Sequence, residues 1–297
     1  MRRRNFLAAS LALASWRETR SLGDTPAEGS RFHPCLNQVT TLGAPFEGEC
    51  EAYASAGFRK IELWLAKFRS LPLSAQQITA TLSRWGLDPV SSCGTCSLLD
   101  PVYGSLESHL PDFEKTLGFV QALGIPRHVV CSTVRAQVSG DDYKIASERL
   151  YQISELASKY KVKIALEFIA RSDFIGSLPT AISLIRTTGH PNVGLLLDTF
   201  HFFVGVSKTE DLHLLRPGEV EHVHFHDVPD KVFRERLTDK YRLPPGEGII
   251  PLKVITAELR RIGYSGSLST ELFGSSFQDG DPKAVALRCY KALLPFC

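Results

Sequence analysis

The fold of this chain is indicated most clearly by the stretch VGLLLDTFH, residues 193–201. Its first five residues have no polar side chain, and they lead directly to Asp198. Such a short apolar run is typical of a strand that is buried on both faces, as in parallel sheets covered by helices. Burying an acid at the end of that strand is costly unless the acid is paired or holds a cation. Asp198 is therefore the first candidate functional residue.

Short apolar segments alternate with longer helical segments from residue 32 onward, which is typical of strand–helix units around a parallel sheet. The segments predicted as strands are His33–Gln38, Lys60–Trp64, Pro89–Cys93, His128–Ser132, Val162–Ile169, Val193–Asp198, His222–Asp227 and Leu268–Leu272. Eight such units in about 265 residues match a closed barrel, whose usual size is about 250 residues. No Gly-rich nucleotide-binding turn follows the first strand, which counts against a doubly wound open sheet. The sequence thus predicts an α/β fold, a single-domain (β/α)8 TIM barrel over residues 32–297.

The segments between the strands have the spacing of amphipathic helices. They are Glu47–Ala56, Ser74–Trp85, Leu106–Leu123, Asp141–Tyr160, Thr180–Thr187, Thr209–Leu215, Leu252–Ile262 and Pro282–Leu294. A glycine follows several of them, as expected where a left-handed residue ends a helix, and Ser74 and Asp141 are candidate N-caps.

The longest irregular segment is 228–251, and loops of this length in compact domains are usually functional. A lid over the site is one interpretation. A solvated charged loop is the other, because the segment carries several basic residues, namely Lys231, Arg234, Arg236, Lys240 and Arg242.

Charge and cysteine content exclude two classes of protein. A net charge of +2 gives no basic footprint for a nucleic acid. Seven cysteines without framework spacing argue against a disulfide-stapled fold. Cys93 and Cys96 form a CxxC motif, which could indicate a redox or zinc site, but no second CxxC exists and buried core thiols are the favoured interpretation.

The first 31 residues have the features of a targeting segment. Three arginines precede a short apolar stretch, residues 6–14, and the pattern resembles a twin-arginine export leader. The stretch is far shorter than the about 20 residues that span a bilayer, so no membrane span is predicted. Residues 16–20, WRETR, interrupt the pattern, which leaves a disordered extension as the alternative. Export to the periplasm is the expectation, with a cytoplasmic location as the alternative.

Four consecutive predicted strands end in a side chain that can bind a metal: Glu167, Asp198, His224 and Glu271. Functional residues of parallel barrels collect at these carboxyl ends, so the four side chains are expected to converge. Three carboxylates and one imidazole suit a single divalent ion, either manganese, cobalt, magnesium or zinc. The sequence predicts one such ion and does not distinguish among these metals.

The choice of His224 among three histidines rests on strand alternation. His222, His224 and His226 share one face of the predicted strand, and His224 lies level with Asp198 of the neighbouring strand. We expect His226 to lie further out in the loop, and His222 to lie deeper in the barrel or to be hydrogen-bonded.

Several segments resemble the xylose-isomerase-like sugar isomerase and epimerase superfamily, and within it the 2-keto-myo-inositol (inosose) isomerases. They are KIALE at 163–167, LDTFH at 197–201, HFHD at 224–227, PGEGII at 245–250 and STELF at 269–273, together with 35–42, 237–239 and Arg242. The resemblance runs from about residue 32 to the carboxyl terminus and implies a barrel with one divalent metal, held by the residues that match Glu167, Asp198, His224 and Glu271.

The resemblance further implies a small polyol or keto-sugar substrate, isomerised or epimerised through an enediolate. In this scheme Glu167 and Glu271 act as base and acid, since two carboxylates that flank the substrate can exchange its protons. His201 is expected to contact a substrate oxygen, with a buried structural histidine as the alternative. Asn37 and Glu62 are candidates for binding substrate hydroxyls. Inositol catabolism is the implied process, and a homo-oligomer is compatible with the sequence.

Other functions on the same scaffold remain open. An apurinic endonuclease would need extra histidines on strands three and four, where the sequence has Cys93 and Cys131. A ketose 3-epimerase is disfavoured, because related epimerases have a basic residue at the position of Asp230. A non-catalytic, exported sugar-binding protein would have no use for two opposed proton carriers.

Overall fold

Eight parallel strands close into a barrel in the computed structural model, which describes residues 32–69 and 71–297. The strands are β1 (His33–Asn37), β2 (Lys60–Trp64), β3 (Asp88–Cys96), β4 (Arg127–Cys131), β5 (Lys163–Glu167), β6 (Val193–Asp198), β7 (Val220–His224) and β8 (Ser267–Thr270). Each strand pairs with the next along the chain, and β8 pairs with β1. The prediction of a single (β/α)8 barrel is confirmed. The predicted leader lies outside the described residues.

Helices follow the strands around the barrel. They are α1 (Phe46–Ala56), α2 (Leu65–Arg69), α3 (Ala75–Arg84), α4 (Leu110–Ala122), α5 (Gly140–Lys159), α6 (Leu178–Thr188), α7 (Thr199–Val204), α8 (Leu252–Arg261), α9 (Ser275–Gln278) and α10 (Pro282–Leu293). Short 3-10 turns occupy Gln38–Thr41, Pro101–Tyr103, Leu106–Ser108, Thr209–Leu214, Arg234–Arg236 and Asp239–Tyr241. Within 32–69 and 71–297, every helix is too short or too polar to cross a membrane.

Local capping explains where several helices begin and end. Ser74 starts α3 with a capping box, as the sequence predicts. Helix α5 differs from the prediction, because Ser139 and not Asp141 is its N-cap and accepts a hydrogen bond from the backbone N–H of Asp142. Gly57 and Gly189 follow α1 and α6 in the left-handed conformation.

The stretch that indicates the fold forms β6, and all six of its residues are buried. Gly194 allows the segment just before β7 to approach closely, since a Cβ atom at position 194 would lie 2.8 Å from the carbonyl oxygen of Glu219. The strand is therefore covered on both faces, and its carboxyl end delivers Asp198 to one end of the barrel.

Strand β7 ends earlier than predicted, at His224 and not at Asp227. Beyond His224, the Thr199 hydroxyl donates to the His226 carbonyl and accepts from the His226 N–H. These two side-chain hydrogen bonds take the place of the backbone hydrogen bonds between β6 and β7. Asp227 then forms an antiparallel bridge with Leu243. These partners are distant in sequence, which explains why local periodicity did not reveal the boundary.

Candidate metal centre

The four residues predicted as metal ligands converge at the carboxyl ends of β5 to β8. Glu167, Asp198, His224 and Glu271 each offer one ligand atom, and these atoms all lie within 4.8 Å of one another. All four residues are buried. Asp198 and His224 are paired across β6 and β7, as predicted from strand alternation.

Asp198 is held by the start of α7. Its Oδ1 accepts a hydrogen bond from the backbone N–H of His201 at 2.8 Å, so it serves as the N-cap of that helix. Its Oδ2 faces the other ligands. Burial acts to raise the pKa of Asp198, but the charge of Arg242 and the nearby His226 and His201 hold that pKa well below its usual range.

The imidazole of His224 has carboxylates on both sides. Its Nδ1 lies 3.2 Å from Glu167 Oε1, 3.3 Å from Glu271 Oε2 and 3.5 Å from Asp198 Oδ2. Its Nε2 lies 3.1 Å from Glu62 Oε2. Burial acts to lower the pKa of His224, but Glu271 and Glu62 outweigh it and raise the pKa well above its usual range.

Glu62 lies on the interior side of His224. Its Oε2 is 3.1 Å from His222 Nε2 and accepts a hydrogen bond from Ser269 Oγ at 2.7 Å. Burial acts to raise the pKa of Glu62, but the charges and hydrogen bonds of His222 and His224 hold it well below its usual range. The carboxylate has no exposed surface and is hydrogen-bonded to His224, and its predicted contact with substrate hydroxyls stays a prediction.

The other predicted residues lie at different depths. Asn37 is fully buried, and its Nδ2 donates to Glu271 Oε1 at 3.2 Å, while its predicted contact with substrate hydroxyls stays a prediction. His201 borders the cavity. His222 is deep and bonded to Glu62, whereas Nε2 of His226 lies 3.3 Å from Asp198 Oδ1, in agreement with the predicted order of the three histidines.

Arg242 is the residue that the sequence did not single out as part of the site. It is only 1% exposed, and its Nη1 donates to Asp198 Oδ2 at 2.9 Å and to Glu271 Oε2 at 2.7 Å. Its Nη2 donates to Asp239 at 2.7 Å, and its guanidinium lies over the ring of Phe273. The interpretation of Arg242 as part of a solvated charged loop is wrong. In the sequence, Arg242 is indicated by the family resemblance, in which it lies just before the Pro-Gly turn.

The loop that carries Arg242 is anchored beside the site. Asp227 accepts hydrogen bonds from the backbone N–H groups of Gly246, Gly248 and Ile250 at 3.1, 3.0 and 2.8 Å. Gly248 is required there, because a Cβ atom would lie 2.0 Å from the carbonyl oxygen of Val228. The buried Asp227 carboxylate thus holds the end of this loop in place, next to the segment that carries Arg242.

A cavity of about 260 Å³ opens onto the cluster. Its charged lining residues include Glu167, Glu271, Arg242 and Asp239, and its apolar and sulfur-containing lining residues include Trp64, Phe273, Val129, Cys93, Cys96 and Cys131. A cavity lined in both ways accommodates a small molecule with polar and apolar parts.

The donor set of the cluster fits a divalent metal ion. Three carboxylates and one imidazole are the ligands that such ions take in proteins. The cluster also binds positive charge in this structure, because one guanidinium nitrogen of Arg242 bridges Asp198 and Glu271. The acidic and histidine groups present are therefore able to hold a metal.

Comparison with known families agrees with this geometry. A model of the xylose isomerase-like TIM barrel family matches residues 50–293. The chain belongs to this family. The barrel and the resemblance predicted from sequence are thereby confirmed.

Two curated proteins are similar to the chain over different lengths. The inosose isomerase of Halalkalibacterium halodurans is 32% identical over 167 residues, which cover 55% of this chain and 59% of that protein. The 3-dehydroshikimate dehydratase of Pseudomonas putida is 25% identical over 275 residues, which cover 86% of this chain and 40% of that protein. Each match thus spans less than two thirds of the relative's own length.

Solved structures share the fold. A structure described as IOLI protein with a bound zinc atom superposes with a TM-score of 0.81 at 23% identity, covering 89% of this chain and 98% of that one. A structure of L-ribulose 3-epimerase superposes with a TM-score of 0.71 at 18% identity, with coverage of 89% and 94%.

Proposed function

We propose that the chain is a divalent-metal-dependent isomerase or epimerase of a keto-polyol or keto-sugar similar to 2-keto-myo-inositol. The observation that carries the proposal is the buried convergence of Glu167, Asp198, His224 and Glu271 beside a cavity of small-molecule size. The similarity to inosose isomerase supports this substrate class.

The four converging residues would hold the metal. When bound, such an ion would act as a Lewis acid that favours negative charge on the substrate carbonyl oxygen. Moving a carbonyl along a carbon chain requires removal of a proton from the carbon next to it and return of a proton to its neighbour. The rest of this chemistry falls to side chains of the chain itself.

Glu271 and Glu167 are suited to move that proton. Burial raises the pKa of Glu271 above that of an ordinary glutamate, which makes its carboxylate a stronger base. Glu167 reaches the same cavity from β5. In our proposal one carboxylate oxygen takes the proton from the substrate carbon and the other carboxyl group supplies a proton to the adjacent position.

Arg242 and His201 face the region where charge would develop. The Nη2 of Arg242 lies 3.2 Å from His201 Nε2, and both side chains line the cavity. In our proposal the fixed positive charge of Arg242 beside the cavity stabilises the negative charge of an enediolate without having to reorganise during the reaction. Asp239 balances the guanidinium from the loop side, which keeps Arg242 directed toward Asp198 and Glu271.

A dehydratase is the second candidate, because the 3-dehydroshikimate dehydratase match extends over 86% of the chain. Dehydration of a hydroxy-ketone also begins with removal of a proton next to a carbonyl, so the same carboxylates would serve. The two proposals differ in the fate of the neighbouring hydroxyl, which is retained by an isomerase and lost as water by a dehydratase.

The test is a metal analysis followed by NMR in deuterium oxide with a panel of inososes, ketoses and 3-dehydroshikimate. Deuterium incorporation with formation of an isomer supports the main proposal, and loss of water from 3-dehydroshikimate supports the second. Binding of a panel compound without exchange would indicate a sugar-binding protein. Full activity after removal of metal by a chelator would contradict metal dependence.

A further inference from the structure

Two cysteines on adjacent strands lie side by side in the cavity wall. Cys96 ends β3 and Cys131 ends β4, and the two residues are direct partners in the register of these strands. Both border the cavity, and both are free thiols. Neighbouring strands lie about 4.8 Å apart, which is within the about 4.4–6.8 Å between Cα atoms that a disulfide requires.

The CxxC motif of the sequence does not offer an equivalent pair. Cys93 and Cys96 lie on one strand, and three residues of extended chain separate Cα atoms by about 10 Å. An irregularity between Ser92 and Thr95, at Gly94, alters the register and leaves Cys93 deep in the barrel, with its sulfur 3.4 Å from Asn37 Nδ2. The spatial partner of Cys96 is therefore Cys131 and not Cys93.

The two thiols differ in accessibility. Cys96 is exposed, whereas Cys131 is buried. Cys131 Sγ lies 4.0 Å from the Thr95 carbonyl oxygen, to which it donates a weak hydrogen bond. The neighbouring Cys131 thiol lowers the pKa of Cys96, and Cys96 together with burial raises the pKa of Cys131. An accessible thiol with a stabilised thiolate beside a protected thiol is the usual arrangement of an attacking and a resolving cysteine.

We propose that Cys96 and Cys131 are a site of reversible oxidation, forming a disulfide in the cavity wall by exchange with a small-molecule disulfide. The Cys96 thiolate attacks one sulfur of the small disulfide and releases one small thiol, which leaves a mixed disulfide on Cys96. Cys131 then loses its proton to solvent and attacks the Cys96 sulfur, which releases the second small thiol. Two protein thiols are oxidised and one small disulfide is reduced. The inference does not depend on the proposed reaction.

The test uses the full chain with oxidised glutathione, followed by alkylation of the remaining thiols and peptide mass spectrometry. We expect loss of two hydrogen atoms and a cross-link between the tryptic peptides 85–115 and 128–135, both reversed by dithiothreitol. The first peptide contains both Cys93 and Cys96, so the matched control is Cys93→Ser, which should keep the cross-link. Cys96→Ser should abolish it, and Cys131→Ser should stop at a glutathione adduct on Cys96.

Three results would overturn the proposal. They are a bond between Cys93 and Cys96, a cross-link that persists in Cys96→Ser, and a glutathione adduct on the unsubstituted protein that never resolves to a cross-link. Circular dichroism checks that each serine variant is folded. The measurement on the unsubstituted chain decides the proposal even where a variant does not fold.

Discussion

The two nitrogens of the His224 imidazole have different surroundings, since Nε2 faces Glu62 and Nδ1 faces the three other candidate metal ligands. On the Nε2 side, one oxygen of Glu62 has three polar neighbours, namely His224, His222 and Ser269, and the carboxylate is closed off from the cavity. On the Nδ1 side lie three carboxylates next to the cavity, and Arg242 supplies charged hydrogen bonds to two of them. The Glu62 oxygen on the inner side is occupied by partners within the barrel, whereas the outer side brings three acidic groups around one imidazole nitrogen.

This difference assigns a separate role to each nitrogen. A neutral histidine carries one proton, and a carboxylate at Nε2 keeps it there and leaves the Nδ1 lone pair for a ligand. A carboxylate bonded to the distal nitrogen of a metal-binding histidine fixes its tautomer and ring orientation. The inner side therefore orients His224, and the outer side carries the proposed chemistry. Substitutions on each side should have different consequences.

The largest effect is expected on the outer side, from Glu271→Gln. An amide of similar shape can accept a hydrogen bond from Asn37 or from Arg242 but not from both, and it cannot transfer a proton, so we expect turnover to fall by at least about 10²- to 10⁴-fold. Turnover is measured by deuterium-exchange NMR and folding by circular dichroism. Glu210→Gln, the same change at an exposed position, is the control. Unchanged turnover in Glu271→Gln would remove this residue from the chemistry.

The second-largest effect is expected on thermal stability, when a metal ion is added to the residues on the outer side. A ligand that binds the folded state at about 100 times its Kd adds about 2.7 kcal/mol of stability, which corresponds to a rise in Tm of about 5–10 °C for a domain of this size. We expect such a rise on adding manganese or zinc to the chelator-treated chain, measured by differential scanning calorimetry. The rise should be absent in Asp198→Asn. An equal rise in that variant would place metal binding elsewhere.

The outer side could be predicted from the sequence because its residues obey one simple rule. Glu167, Asp198 and His224 each end a strand and Glu271 directly follows β8, and the ends of consecutive parallel strands are adjacent in any closed barrel. The eight strands themselves followed from local alternation. No knowledge of side-chain packing was needed for either inference.

The inner side could not be predicted in this way. Glu62 lies in the middle of β2, and whether it faces the cavity or His224 depends on contacts across the barrel, 162 positions apart in sequence. Arg242 likewise reaches the site only because Asp227 anchors the loop through backbone N–H groups. Neither contact has a periodic signature, so strand-end reasoning predicted a substrate contact for Glu62 without its contact with His224, and it left a lid and a solvated loop as alternative interpretations of the segment that carries Arg242.

A smaller effect is expected on the inner side, from Glu62→Gln. The amide retains the shape but removes the charge that holds the proton on Nε2 of His224. Loss of such a partner commonly lowers metal affinity about 10- to 100-fold, and we expect a loss in this range. Competition with a chromogenic chelator measures the affinity. If affinity were unchanged while Asp198→Asn lost it, the proposed orienting role of Glu62 would be disproved.

The smallest effect is expected from Ser269→Ala, which removes one of the three polar partners of Glu62 Oε2. A hydrogen bond to a buried charged group contributes about 1.5–3 kcal/mol, so the free energy of unfolding, measured with urea, should fall by roughly this amount. Ser276→Ala, at an exposed position on α9, should change it by less than about 0.5 kcal/mol. Because His222 and His224 still hold Glu62, metal affinity should change far less than in Glu62→Gln. A loss of affinity as large as that of Glu62→Gln would mean that the hydroxyl, and not the paired histidines, determines the direction of the carboxylate.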